Sequence, residues 1–411
     1  MSDIEFALLL TSFAVPDEVH RPRQGFSYRT VLRLFGLFGF RCRPSTLGPV
    51  NAGIDPGSGK SRSGIADVAA LAGVSSATVS RSLSGQGNVA ARTRERVRDA
   101  ARTLSYVPSP YAVGLASGRT RTIAVVVPFL TRWYFSSVVS GVTEVLEAAG
   151  YDVLLYHLGS AVDRDRFFAR MPLARRVDGV LSLSMPLTDD HTLALRALDI
   201  PIVSVGSRMA GLPSVCIDEV AVAQTAVNHL IHLGHERIAF IGGVPDDADF
   251  GFVSSELRLR GYRLALTSVD HKPRAAQEVF GGYGIDGGAA AMARLLSGAE
   301  LPTAVFAEYD ELAIGALWSL RRAGLAVPHD ISVVGVDDHE MAKVLDLTTV
   351  GQDAASQGVL AATLLLQTLN TNQGEPPEEA PADVMLPTEL ILRGTTAPPR
   401  RRITDAGGAA P

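Results

Sequence analysis

The chain has 411 residues, 46% of them apolar and 20% charged, which suits two or three well-buried domains and excludes wholesale disorder or a polytopic membrane protein. Its two cysteines, Cys42 and Cys216, cannot build a disulfide framework or a four-cysteine zinc site, and nothing demands an oxidising compartment. The net charge of −5 hides an asymmetry: residues 63–121 hold 8 Arg against 3 acidic side chains, whereas residues 122–411 hold 22 basic against 35 acidic, the pattern of a small polyanion-binding module carried by an acidic body.

Residues 1–62 show no sustained periodicity and close on the Gly/Pro/Ser-rich stretch Pro44–Ser63; a mostly disordered leader is predicted. Within it, Val31–Phe40 is short and carries Arg33, whereas a spanning helix needs about 20 apolar residues. Met1–Leu10 carries Asp3 and Glu5 where an export signal would be basic, so the expected compartment is the cytoplasm. Gly53–Ser61 (GIDPGSGKS) imitates a phosphate-binding loop, but Ile54 stands at the first glycine position, and a linker is the better reading.

From Ser63 the pattern becomes helical. Ile65, Val68, Ala69 and Ala72 share a face, with Ser63 as candidate N-cap and Gly73 as stop. A second helix over Ser75–Leu83, capped by Ser75, turns Val79 and Leu83 inward. A third, from about Ala91 to Ser105, turns Val97, Ala100, Ala101 and Leu104 inward and five arginines outward. Residues 63–108 therefore read as a small all-α helix–turn–helix headpiece, in which Gly73 permits the tight turn. Its second helix exposes Ser76, Ala77, Ser80 and Arg81. The start of such a helix meets base edges in a major groove, hydroxyls and backbone N–H groups take phosphates, and an arginine can grip guanine. Residues 109–121 form a short, mildly apolar connector that would order only when docked.

From Thr122 the fold class is α/β. Strands are predicted at Ile123–Pro128, Asp152–Tyr156, Gly179–Leu183, Ile202–Val205, Ile238–Ile241, Ala304–Ala307 and Ser332–Val336. Helices are predicted at Ser136–Ala149, Val220–Leu233, Ser255–Leu266, Gly287–Leu296, Glu311–Ala323 and Ala355–Thr368. Near-continuous apolar strands separated by helices imply parallel sheets covered on both faces, and the span 122–395 implies two lobes of similar build. The tail 396–411, rich in Pro, Arg, Gly and Ala, is predicted to be disordered.

Ile65–Arg81, followed by NVAARTRERV from Asn88 and LSYVPS from Leu104, resembles the DNA-binding headpiece of the LacI/GalR family of bacterial repressors. The resemblance continues in HLIHLGHERIAFIGG (His229–Gly243), RLRGYRLAL (Arg258–Leu266), LPTAVFAEYDELAIGAL (Leu301–Leu317), VPHDISVVGVDD (Val327–Asp338) and LTTVGQD (Leu347–Asp353). It implies a sequence-specific transcriptional regulator, a repressor, that binds a palindromic double-stranded operator as a cytoplasmic homodimer. It assigns DNA contacts to Ser75, Ser76, Ala77, Thr78, Ser80, Arg81 and Asn88. A hinge helix would follow, with Ala112 one turn before Leu115 and Leu115 wedged into the minor groove; Pro110, Val113 and Gly114 depart from the usual hinge pattern. For the body the resemblance implies a two-lobed, Rossmann-like fold of the periplasmic-binding-protein type, with a small molecule, expected to be a sugar or sugar derivative, in the cleft. Residues at family cleft positions are Tyr134, Phe135, Asp218, Arg258, Tyr309 and Asp337. Family members often carry Asn at the position of Tyr309. Phe250, Phe252 and Ser254 lie just before Arg258 and are expected to line the wall.

Two motifs offer rivals. Gly282–Gly287 (GYGIDG) is a GxGxxG with Glu308 21 residues after its last glycine, the form of a nicotinamide site, but no acid/base constellation accompanies it, so no enzyme and no cofactor are expected. His229, His232 and His235 recur every three residues, a spacing that drifts around a helix and reads as a helix end rather than a metal site. No apolar heptad tail follows to suggest a coiled-coil tetramer.

Overall fold

The computed structural model describes residues 63–84, 88–106, 119–185, 187–209, 211–244, 252–371 and 383–400. The chain divides into two units, Met1–Arg62 and Ser63–Pro411, and every described residue belongs to the second.

The headpiece is three short helices, α1 (Ile65–Ala72), α2 (Ser76–Ser84) and α3 (Ala91–Thr103). Gly64, rather than Ser63, caps α1: its N–H donates to the Asp67 carboxylate at 2.8 Å. Gly73 ends the helix in the left-handed region at φ 65°, a conformation open to glycine without steric cost. Ser75 Oγ accepts from the Thr78 N–H at 3.2 Å and starts α2. Val68, Val79 and Val97 are fully buried, with Ala69, Ala72, Ala100 and Ala101 filling the crossings. Small residues at these contacts let three amphipathic helices close on a core of minimal size.

The body has two lobes of one design. The first sheet contains β1 (Thr122–Val127), β2 (Asp152–His157), β3 (Gly179–Leu183), β4 (Ile202–Val205), β5 (Ser214–Cys216) and β11 (Val384–Met385), in the order β11-β5-β4-β3-β1-β2 and parallel throughout. The second contains β6 (Ile238–Gly242), β7 (Glu278–Phe280), β8 (Ala304–Ala307), β9 (Ser332–Asp337), β10 (Thr348–Gly351) and β12 (Glu389–Ile391), in the order β12-β10-β9-β8-β6-β7. Only β12 runs antiparallel there. Helices α4 (Trp133–Ala148), α5 (Ala161–Arg170) and α6 (Asp189–Arg196) follow strands of the first lobe; α7 (Glu219–His232), α8 (Val253–Thr267), α9 (Gly284–Leu296), α10 (Asp310–Arg322) and α11 (Glu340–Val344) serve the second. α12 (Ala354–Thr371) returns to pack on α4 and the first sheet. Among the described residues the chain passes between lobes three times: from β5 into α7, from β10 into α12 and from β11 into β12.

All seven strands and six helices predicted for the body form, with ends shifted by up to three residues. α5, α6, α11, β5, β7, β10, β11 and β12 were not anticipated; they are short or polar, and the strands among them are fixed by pairing in the sheet rather than by local pattern. The predicted disordered tail is ordered at its start. The Ala397 carbonyl accepts from Ser332 Oγ at 3.0 Å and meets His235 Nε2 at 2.8 Å, and Arg400 pairs with Asp330 at 2.9 Å, so the backbone of 396–400 finds partners on the second lobe. His229 meets Thr396 Oγ1 at 2.9 Å, so two of the three periodic histidines hold this segment. Among the described residues no His/Cys/Asp/Glu group could hold a metal ion. The GxGxxG forms the turn from β7 into α9: Gly282 and Gly284 have positive φ, and a Cβ on Gly287 would stand 2.0 Å from the Gly282 carbonyl oxygen.

α4 and α12 cross on reciprocal glycines. A Cβ on Gly141 would stand 2.1 Å from the Ala355 carbonyl oxygen, and one on Gly358 2.1 Å from that of Val138. Alanine gains about 1 kcal/mol over glycine inside a helix, but here it forces two backbones apart, an overpacking cost of about 1–3 kcal/mol. Gly141→Ala is expected to lower the thermal midpoint; a raised midpoint would show that the crossing can relax.

Candidate functional site

Two regions collect the predicted residues. In the headpiece, Ser75, Ser76, Ala77, Arg81 and Asn88 are exposed, and Thr78 and Ser80 half-buried. The outer face of α2 is thus a row of short hydroxyl and methyl groups with one arginine, whose Nε donates to the Ala77 carbonyl at 3.2 Å. Not all the α3 arginines face outward without structural duty. Arg96 donates to the Ala72 carbonyl at 2.8 Å, tying α3 to the end of α1, and Arg102 pairs with Asp99. Ala112 and Leu115 lie outside the described residues, as does Phe250.

In the body, a cavity of about 80 Å³ lies between the lobes. It sits where β1, β6, β8 and β9 end, at the carboxyl ends of parallel strands, where open α/β sheets bind ligands. Tyr134, Phe135, Phe252, Ser254, Arg258, Tyr309 and Asp337 all line it. Asp218 does not: it is exposed, and its carboxylate accepts the Ala221 N–H at 3.0 Å as the N-cap of α7. Its neighbour Glu219 is the residue turned inward.

Arg258 is the centre of the polar floor. It is buried, with Nε donating to Glu219 Oε2 at 2.6 Å, Nη1 to the Glu308 carbonyl at 2.7 Å, and Asp337 Oδ1 4.0 Å away. Burial opposes its charge, but Glu219 and Asp337 hold its pKa above the usual arginine range. Burial raises the Glu219 carboxyl against the pull of Arg258, and pushes the Asp337 carboxyl up to about 7. Asp337 ends β9 at φ 125°, a region that non-glycine residues occupy at a cost of about 1–3 kcal/mol; the strain sets its carboxyl in the cavity floor.

A hydrogen-bonded chain leaves this floor and reaches the other lobe. Gln352 Nε2 donates to Asp337 Oδ1 at 2.7 Å, Gln357 Nε2 to Gln352 Oε1 at 2.8 Å, and Tyr134 Oη to Gln357 Oε1 at 2.9 Å. Gln352 stands on the β10–α12 crossing, so the chain runs through one of the three interlobe connections. Glu308 caps the wall: its carboxylate accepts the Gly243 N–H at 2.9 Å and the Ser255 hydroxyl.

The roof is aromatic and cationic. Phe129, Phe252 and Tyr283 have ring centroids 5.2–6.1 Å apart. Arg132 inserts among rings, 4.4 Å from the centroids of both Phe129 and Tyr283. Its Nη1 donates to Tyr309 Oη at 3.0 Å, and Glu311 stands 3.8 Å away. Sequence reading missed Phe129, Arg132, Glu219, Tyr283, Glu308 and Gln352. Tyr283 and Glu308 carried a signal inside the GxGxxG and at its acidic offset, and Glu308 and Gln352 lie in the family-like stretches Leu301–Leu317 and Leu347–Asp353.

The description "Bacterial regulatory proteins, lacI family" matches residues 64–109, and "Periplasmic binding protein-like domain" matches 227–396. The HTH-type transcriptional regulator CelR of Thermobifida fusca is 35% identical over 338 residues, 79% of this chain and 96% of that protein. A solved transcriptional regulator CelR–cellobiose complex is 33% identical with TM-score 0.59, covering 81% of this chain and all of that one. A lac repressor dimer bound to operator and the anti-inducer ONPF is 30% identical with TM-score 0.70, covering 82% of this chain and 99% of that one. The chain belongs to the lacI family of bacterial regulatory proteins. It is a DNA-binding transcriptional regulator with a small-molecule-binding body, not an enzyme. Among the described residues no helix is long and apolar enough to cross a membrane.

In this lacI-family body Asp337 makes stability depend on pH. A folded-state pKa of about 7 lies above the unfolded value of about 3.9, so the fold favours the protonated acid. That contribution is complete below pH ~4 and is lost as pH rises through ~7. Asp337→Asn, which keeps an acceptor for Gln352, is expected to gain stability relative to the parent between pH 5.5 and 8 in thermal melts without ligand. A difference that does not change with pH would place the ionisation elsewhere.

Proposed function

We propose that the chain is a cytoplasmic repressor that binds a palindromic operator as a homodimer, reads base edges with α2, and changes operator affinity when a sugar or sugar derivative occupies the cavity between its lobes. The observation that carries the ligand reading is the pairing of an acceptor-rich floor with an aromatic roof. Asp337 and Glu219 each have further capacity to accept from hydroxyls, Tyr134 and Ser254 add hydroxyls, and Phe135 and Phe252 offer ring faces. Ligand sites of this kind combine an apolar wall with a few convergent polar groups, and sugars present both surfaces. The CelR–cellobiose complex and the lac repressor–operator complex are consistent with this reading.

The family resemblance gives Leu115, three residues after Ala112, the minor-groove wedge at the operator centre. The test is fluorescence anisotropy against a selected duplex pool, with and without a panel of sugars. Deleting residues 63–118 should abolish specific binding; its persistence would end the headpiece assignment. Arg81→Ala should cost about 1–3 kcal/mol at one operator position and relax base preference there, whereas a uniform loss over all sequences would mark Arg81 as a phosphate contact. Leu115→Ala should weaken specific binding more than non-specific binding, and equal losses would reject the wedge.

A further inference from the structure

The guanidinium of Arg132 lies in the roof of the cavity, between an aromatic ring of each lobe. It enters from the first lobe, immediately before α4, and is held by the second. Tyr283 backs it at 4.4 Å, Tyr309 Oη accepts from it at 3.0 Å, and Glu311 faces it at 3.8 Å. Phe129 closes the other side at 4.4 Å. Tyr309 Oη also accepts the Gly284 N–H at 3.2 Å, which fixes the ring that receives Arg132. A cation held over aromatic faces and desolvated is strongly retained, so this side chain is a wall of the cavity rather than a mobile surface group. What it leaves is about 80 Å³, well below the roughly 300–1,000 Å³ of pockets that take drug-sized ligands, so the space suits a small ligand.

We infer that Arg132 sets ligand length, restricting the site to a single sugar ring. This rests on the sugar reading of the cavity. Arg132 also joins the lobes, but its effect on specificity is steric. A side chain of similar length without charge should keep the restriction, and a short one should remove it. The backbone tolerates the change, since Arg132 precedes α4 in extended conformation (φ −87°, ψ 137°) and its side chain caps no helix.

The experiment is thermal shift followed by calorimetry on the full chain. The probes are glucose, galactose and ribose, with cellobiose and maltose as two-ring probes. The parent protein should be stabilised by at least one monosaccharide and by neither disaccharide. Arg132→Ala should acquire binding of at least one disaccharide, at least tenfold tighter than the parent, while Arg132→Met should go on excluding both. Tyr283→Ala, which removes the ring behind the guanidinium from the opposite lobe, should open the same wall if Arg132→Ala lacks a cooperative melt. A disaccharide that stabilises the parent overturns the inference and leaves the sugar reading standing, as does an opened variant that still takes monosaccharides alone. Silence of parent and variants toward all five sugars defeats the sugar reading, and the length limit with it.

Discussion

A guanidinium removed from water must be met by acceptors on every side, and this requirement organises the body. Arg258 is buried against Glu219 from the start of α7, the carbonyl of Glu308 after β8, and Asp337 at the end of β9. Losing any partner would leave charge uncompensated in the interior, which costs far more than the pair contributes. The arithmetic is unequal, however. One guanidinium faces two buried carboxylates, and the closer one, Glu219, takes the short contact. Asp337 is left with a single amide donor and a carboxyl pushed up to about 7. The same residue that completes the burial of Arg258 therefore keeps acceptor capacity for a ligand.

That unequal sharing also explains why the polar network does not stop at the cavity floor. Gln352 satisfies Asp337, Gln357 satisfies Gln352, and Tyr134 ends the chain in the first lobe. Burial raises the Tyr134 phenol above its usual range, so it stays a neutral donor. A buried network of this kind specifies one arrangement because each member is satisfied only in that arrangement. The first lobe contributes Arg132 with the rings of Phe129, Tyr134 and Phe135, and the second contributes the carboxylates of Glu219, Glu308 and Asp337 with the rings of Tyr283 and Tyr309. A ligand between them is recognised fully only when both are in place.

Much of this architecture could be read from the chain alone. The β1, β3, β4, β6, β8 and β9 strands announce themselves as short apolar runs, and the headpiece core of Val68, Val79 and Val97 follows from helical spacing. Arg258 and Asp337 were legible through family resemblance. The residues that escaped were those whose role depends on approach from another element. Arg132 reads as a solvated arginine until Tyr283 and Tyr309 arrive from the second lobe, about 150 and 177 positions away. Asp218 and Glu219 are adjacent carboxylates with equal claims in sequence. The helix start decides between them, spending Asp218 on the Ala221 N–H and rotating Glu219 inward. The segment 396–400 looks like a tail by composition, and only the partners on Ser332, His235 and Asp330 order it.

The same distinction between counted and committed charge bears on DNA. The headpiece region is basic by composition, yet Arg96 is used to join α3 to α1 and Arg102 is paired with Asp99. Fewer arginines are then free of structural duty to neutralise phosphates than the count suggests, and the 290-residue acidic body adds repulsion toward a polyanion. Phosphate attraction supplies most of non-specific affinity, so a headpiece with this charge depends more heavily on base contacts. A ligand can shift operator occupancy only by its differential affinity for the lobe arrangements, and operator binding then changes ligand affinity by the same factor.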